Sequence, residues 1–157
     1  MIIRIMNEDE LSKVINLISE TVHTICQRDY TQAELDAWAP DRFDAKRFRE
    51  ALMPCYNIVA AEGENIIGFA SINNSGYINR LFTHKDRQGE GIATKLLTQM
   101  ENWAVKQGIF ELSLDSSKTA ESFYTQHGFL KSGVSVINHR GVVFRNTVMK
   151  KNLKEGF

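Results

Sequence analysis

The segment Gln88-Gly89-Glu90-Gly91-Ile92-Ala93 places two glycines directly before an apolar pattern of helical period, and that combination can bind an anion. Backbone amides in the first turn of a helix have no intrahelical acceptor, and the helix dipole favours negative charge there. Glycine lets an oxyanion approach the backbone because no Cβ stands in the way. A diphosphate suits such a cradle, and Lys85 and Arg87 lie close enough in sequence to add charge-assisted contacts. Three phosphate motifs compete for the spacing. A P-loop needs Gly-Lys-Ser/Thr after four spacer residues, whereas Thr94 and Lys95 stand in the wrong order and place. A dinucleotide fingerprint needs a third small residue where Thr94 stands and an acid closing the next strand, but Glu111 opens that strand. The third pattern, Gln/Arg-x-x-Gly-x-Gly/Ala, is met by Gln88, Gly91 and Ala93.

Other reactive residue types carry weaker signals. Cys26 and Cys55 are far apart and have no histidine at metal-ligand spacing, so they read as thiols in a reducing cytosol, and no metal site is expected. His84, His127 and His139 fall at loop or helix-end positions, where solvation is the plain reading. The 157 residues are 43% hydrophobic and 24% charged, with 19 basic and 19 acidic side chains. That suits one soluble domain spanning residues 1–157, and a net charge of zero gives no long-range attraction to nucleic acid or a membrane surface. Neither a signal peptide nor a membrane-spanning stretch is visible, so a cytoplasmic location is expected.

The elements that must position the loop follow from periodicity. Ile2, Ile3 and Ile5 read as a strand, and Asn7 with Glu10 starts a helix carrying Leu11, Val14, Ile15, Ile18, Val22 and Ile25 on one face. Thr31 with Glu34 opens a shorter helix that ends near Trp38 before Pro40, and Phe43 to Leu52 reads as a further helical piece. Tyr56–Ala61, Ile66–Ile72 and Tyr77–Thr83 form an antiparallel meander with turns at 62–65 and 73–76. The glycine loop then enters a helix whose inner face is Ile92, Ala93, Leu96, Leu97, Met100, Trp103 and Ala104. A strand from Phe110 to Leu114, a helix from about Lys118 to His127, and a hairpin of Leu130–Ile137 with Val142–Met149 complete the chain. The expected fold is a mixed α/β sheet of about seven strands flanked by helices, in the order β-α-α-β-β-β-α-β-α-β-β. Its Tyr77 and Phe110 strands should be joined by a parallel crossover.

In this context the loop gains specificity. Leu81-Phe82-Thr83 at a strand end, the loop from Gln88 to Ala93, and Ala120-x-x-x-Tyr124-x-x-x-Gly128-Phe129 downstream together resemble the GNAT superfamily of N-acetyltransferases. The element order matches from Ile2 to Met149. The resemblance implies a small single-domain GNAT-like fold with splayed central parallel strands and acetyl-CoA as co-substrate. It also assigns the cofactor residues. The backbone of Gln88, Gly89, Glu90, Gly91, Ile92, Ala93 and Thr94 would hold the diphosphate. Leu81, Phe82 and Thr83 would bond the pantetheine arm, aided by Ser117 where the family commonly has asparagine. Glu90 replaces a frequent basic residue and should point away from the phosphates.

The chemistry expected is transfer of an acetyl group to a primary amine by direct attack in a ternary complex. An alkylammonium of pKa about 10 is only about 0.1% neutral at pH 7, a cost of roughly 4 kcal/mol, so a base or water chain must help. Tyr124 matches the family's general acid or donor to the leaving thiolate, with a core aromatic as the structural alternative. Proton transfer from a phenol near 10 to a thiol near 8.5 is uphill by about 2 kcal/mol, which favours a donor role. The Tyr77 strand carries no acid, leaving a water chain ordered by Asn79, or His23 from the first helix, as base candidates. Tyr30 and Trp38 can form an aromatic wall for the acceptor, a small-molecule amine or a protein amino group, or can simply pack helices. The other functional class compatible with these residues is a non-catalytic acyl-CoA-binding regulatory module. The terminal hairpin offers an edge for a homodimer.

Overall fold

The computed structural model describes residues 1–154. Among these residues, seven strands and five α-helices follow one another as β1 Ile2–Ile5, α1 Leu11–Ile25, α2 Gln32–Trp38, α3 Ala45–Leu52, β2 Tyr56–Glu62, β3 Asn65–Ile72, β4 Ile78–Thr83, α4 Ile92–Lys106, β5 Glu111–Ser116, α5 Glu121–Gln126, β6 Leu130–His139 and β7 Val142–Asn152. This is the expected mixed α/β architecture, with three helices rather than two before β2. The added helix is the Phe43–Leu52 piece, and it begins at Ala45 because the Asp44 side chain caps the Arg47 amide. Helix α5 starts at Glu121, three residues later than the periodicity suggests. The preceding turn is held from outside: the Lys118 amide donates to the Tyr30 hydroxyl, and the Ala120 amide donates to Ser117. The terminal hairpin turns at Arg140-Gly141 rather than over four residues, because pairing continues to His139↔Val142.

The strands form two antiparallel blocks, β1-β2-β3-β4 and β5-β7-β6. They meet through one parallel contact, Tyr77 with Ser113, supported by the Ser113 amide donating to the Gly76 carbonyl at 3.0 Å. Beyond it β4 and β5 diverge without a ladder, which is the expected central splay. On one face α1, α2 and α3 pack through Val14, Ile18, Val22, Leu35 and Phe48 against Phe69 and Phe144. On the other, α4 and α5 pack through Leu96, Leu97, Met100 and Tyr124, with Phe129 just past α5, against Ala60, Ala70, Leu112 and Leu114. The splay therefore opens between two separately buried layers.

Arg4 fastens β1 to the start of α1 by two bonds to Glu10, at 2.8 and 2.7 Å, and the Asn7 amide adds a third at 2.9 Å. The Arg4 guanidinium, with that amide, lowers the Glu10 carboxyl to about 2. A depressed carboxyl stabilises the fold above its unfolded pKa of about 4.3 and loses that contribution as pH falls through about 2. Glu10→Gln should therefore lose on the order of 1 kcal/mol at neutral pH. It should also flatten the acid fall in stability across that window, as followed by thermal melts at stepped pH. At the junction, Gly76 has φ +85°, and a Cβ there would run into the Glu111 carbonyl oxygen. Gly76→Ala should cost about 2 kcal/mol or more in denaturant unfolding, since strain and a backbone clash act together.

Candidate active site

The glycine loop does bring uncapped amides to one place. Gly89 and Gly91 both adopt left-handed φ, +75° and +82°, with open space where a Cβ would stand. Gly91 is the N-cap of α4 and offers no side-chain cap, and the first intrahelical bond runs from the Lys95 amide to the Gly91 carbonyl. The amides of Ile92, Ala93 and Thr94 precede that bond and face the helix start unpaired by the helix. The Ile92 side chain is buried in the α4 layer, so only its backbone serves the loop. The Thr94 hydroxyl is already engaged with His127 Nε2 at 3.0 Å.

The side chains expected to add charge are spent elsewhere. Arg87 bonds Glu62 through both Nη atoms at 2.6 and 3.0 Å, and bonds Glu90 through Nε at 2.9 and 3.0 Å. Glu90 is thus turned onto Arg87, which explains how an acid is tolerated in the cradle. Lys85 lies 3.8 Å from Glu20. The Gln88 amide donates to the carbonyls of Thr83 and His84, and so braces the loop against the end of β4. What remains to meet an anion is the backbone.

A cleft of about 770 Å³ leads from this loop through the splay and under α1, α2 and α3. Leu81, Phe82, Thr83, Gln88, Ala93, Ser117 and Tyr124 all line it. Thr83 Oγ1 is buried without a hydrogen-bond partner among the described residues, an orphan that a polar ligand chain along β4 would satisfy. With the unpaired strand edges of the splay and the uncapped α4 amides, it makes a channel that fits the amide-bearing arm and diphosphate of CoA. Ser117 Oγ accepts from the Ala120 amide at 3.2 Å and still faces the cleft.

Tyr124 packs edge-on against Phe123 and Phe129, each ring centroid 5.3 Å away, and is buried. Burial, reinforced by Tyr77 close by, holds its phenol far above the ordinary tyrosine value. Tyr30 and Trp38 meet at 5.4 Å, and Phe144 closes the group at 5.9 and 6.3 Å from them, so these rings pack on one another in the wall of the cleft. Tyr30 also receives the Lys118 amide on its hydroxyl, so it joins this wall to the turn before α5. His23 stands apart. Its Nε2 lies 2.6 Å from the Ala39 carbonyl at the end of α2, and it is not among the cleft-lining residues. Asn79 lines the cleft with its amide on Cys55 Sγ at 3.5 Å.

Two charged residues in the cleft are ones that sequence reasoning missed. Asp115, on β5, accepts the Tyr77 hydroxyl at 2.6 Å, and burial with this carboxylate keeps the Tyr77 phenol protonated far above its usual range. The alternation Leu112-Ser113-Leu114-Asp115 did put Asp115 on the face opposite the leucines. Its meeting with Tyr77 required the parallel junction. Arg80 reaches the cleft through a bulge. Ser71 pairs Arg80 whereas Ile72 pairs Ile78, so Asn79 is an extra residue on β4. Ile78 and Leu81 consequently face the α4 layer, while Arg80 and Phe82 face α1 and α3.

No helix of the described residues is long and apolar enough to cross a membrane, and no cluster of three or more His, Cys, Asp or Glu among them is suited to hold a metal. The model of the acetyltransferase (GNAT) domain family matches residues 26–153. The uncharacterized N-acetyltransferase YafP of Escherichia coli K12 is 26% identical over 148 residues, covering 94% of this chain and 93% of that protein. Among solved structures, the GCN5-related N-acetyltransferase of Rhodopseudomonas palustris superposes with a TM-score of 0.93 at 24% identity, over 97% of this chain and 95% of that one. The PaiA N-acetyltransferase of Thermoplasma acidophilum, solved in complex with coenzyme A, gives 0.79 at 19% identity, over 96% and 98% of the two chains. With the family model covering most of the sequence and the splayed fold beneath it, the chain belongs to the GNAT acetyltransferase family.

Proposed function

We propose that this chain transfers the acetyl group of acetyl-CoA to a primary amine by direct attack within a ternary complex, with Tyr124 as hydrogen-bond donor to the departing sulfur. The observation that carries this reading is Tyr124 itself, a buried phenol held neutral in the wall of the cleft that runs from the glycine loop. The thioester supplies an activated acyl carbon when bound. The amides from Gln88 to Thr94 receive the diphosphate, and the β4 end at Leu81, Phe82 and Thr83 receives the arm, with Ser117 opposite. The solved complex of the Thermoplasma acidophilum relative with coenzyme A supports a CoA site in this fold.

Tyr124 lies in a site that raises its pKa, so giving up its proton outright becomes harder than the 2 kcal/mol gap between free phenol and free thiol. A donated hydrogen bond that strengthens as charge builds on sulfur does not require that step. The amine must lose a proton, and Asp115 is placed to help: one carboxylate oxygen takes the Tyr77 hydroxyl, leaving acceptor capacity for the ammonium or a water between them. Asp115 supplies from β5 the acid that β4 lacks, and so favours turnover over a non-catalytic acyl-CoA-binding module. The domain assignment over residues 1–157 and the cytoplasmic location belong to this same reading.

Thiol release from acetyl-CoA with an amine panel tests the activity. Tyr124→Phe should lower kcat by roughly 10- to 100-fold with little change in acetyl-CoA affinity, the loss typical of one positioned donor. An unchanged kcat would remove Tyr124 from the chemistry. Asp115→Asn should lower kcat most at neutral pH and recover partly as rising pH deprotonates the amine in solution. A second copy of the chain is the proposed partner for the β6 edge, where Leu130, Val134 and Val136 are exposed. Sedimentation should give a dimer that Val136→Lys dissociates, and a monomer at all concentrations would refute the pairing.

A further inference from the structure

Among the described residues, the acceptor half of the cleft holds a cation, Arg80, with no hydrogen-bonded or ion-paired counter-charge. Arg80 points from the β4 bulge toward α3, its guanidinium carbon 4.9 Å from the Phe48 ring centroid. Burial holds its pKa below the usual guanidinium value, and the groups that act on it are Cys55 and Tyr77 rather than any carboxylate. Neither acid that lines the cleft is bonded to Arg80: one Asp115 oxygen accepts the Tyr77 hydroxyl, and Asp44 caps α3. Of the other arginines that line the cleft, Arg140 donates to the Ala37 carbonyl, Arg28 pairs with Asp29, and Arg47 is exposed. Withdrawing a guanidinium from water without a partner is costly, and one aromatic face offsets only part of the cost. Its planar fork of N–H donors matches the two oxygens of a carboxylate or the oxygens of a phosphoryl group.

The same cavity also carries an acid. Asp115 and Tyr77 stand at the β4–β5 junction, and Trp38 and Phe82 provide an apolar surface in the same cavity. An acceptor that is only cationic would meet the unpaired Arg80 and be repelled. A zwitterion would satisfy both poles.

On the acetyltransferase reading above, we propose that the acceptor is a small primary amine carrying an oxyanion, which Arg80 binds while Asp115 takes the ammonium end. The group on Arg80 is a carboxylate or a phosphoryl oxyanion, and the two share the chemistry that the guanidinium recognises. Polyamines and lysine-rich peptides are then poor acceptors.

The test uses the full chain with acetyl-CoA, thiol release as the readout, and matched acceptors. These are amino carboxylates of increasing length, their methyl esters, aminoalkylphosphonates, and diamines. The expected result is a kcat/KM at least roughly ten-fold higher for an oxyanion-bearing amine than for its ester or the diamine, the scale of one charge-assisted contact. The carboxylate and phosphonate arms decide which oxyanion is preferred. Arg80→Gln should erase that ratio chiefly through KM, and Arg80→Lys should restore part of it, a split that general loss of packing would not produce. Calorimetric titration of the same compounds into the protein–CoA complex reads the preference without turnover, and also serves if Arg80→Gln fails to fold. Equal turnover or binding of acid and ester, or a preference for diamines, would overturn the inference while leaving acetyl transfer intact. Loss of CoA binding and of transfer to every amine would instead count against the acetyltransferase reading.

Discussion

Between Tyr77 and Ser113 the two halves of the sheet touch through a single parallel contact, and past it β4 and β5 separate. Every part of the cleft depends on that limited contact. Were the ladder to continue, the backbone edges of the two strands would satisfy each other and no channel would remain. Gly76 permits the close approach to Glu111 that forms the junction, and the Tyr77–Asp115 bond ties the strands just inside the opening. The two apolar layers pack on opposite faces of the sheet, so the separation is supported from both sides.

The two ends of the cleft handle charge differently. At the glycine loop, Arg87 is neutralised by Glu62 and Glu90, and Gln88 braces the chain, so the site offers oriented amides rather than mobile cations. Fixed dipoles of this kind need little reorganisation when an anion arrives. At the other end, charge resides on side chains: Arg80 stands unpaired over Phe48, and Asp115 shares a proton-bearing contact with Tyr77. In the proposed reading, the first end serves one invariant ligand and the second selects among amines.

Tyr124 lies between these ends. Its surroundings are apolar and Tyr77 is its nearest influence, so the ionised phenolate is strongly disfavoured. A group in that setting is well suited to donate a hydrogen bond and poorly suited to release its proton. The same low-polarity packing that makes Tyr124 a core residue beside Phe123 and Phe129 therefore gives it the property the proposed chemistry needs. The packing and functional readings of this residue are compatible rather than alternatives.

Most elements were legible from local pattern because their information is local. The period of Leu96, Leu97 and Met100, the capping pair Thr31 and Glu34, and the glycines before Ile92 each specify a neighbourhood within a few residues. The loop, the β4 end and Tyr124 were legible as a constellation for the same reason, since their order and spacing run along the chain. The sequence by itself thus determined the family, which the family model bears out, and pointed to the donor half of the proposed site. Only the tertiary structure brought together the residues of the proposed acceptor half. Asp115 meets Tyr77 across a junction 38 residues wide, Arg80 faces the cleft because the Asn79 bulge reverses the strand's alternation, and His23 is drawn away to the Ala39 carbonyl. Strand pairing, register shifts and competition for carbonyls are set by contacts distant in sequence, and no local period encodes them.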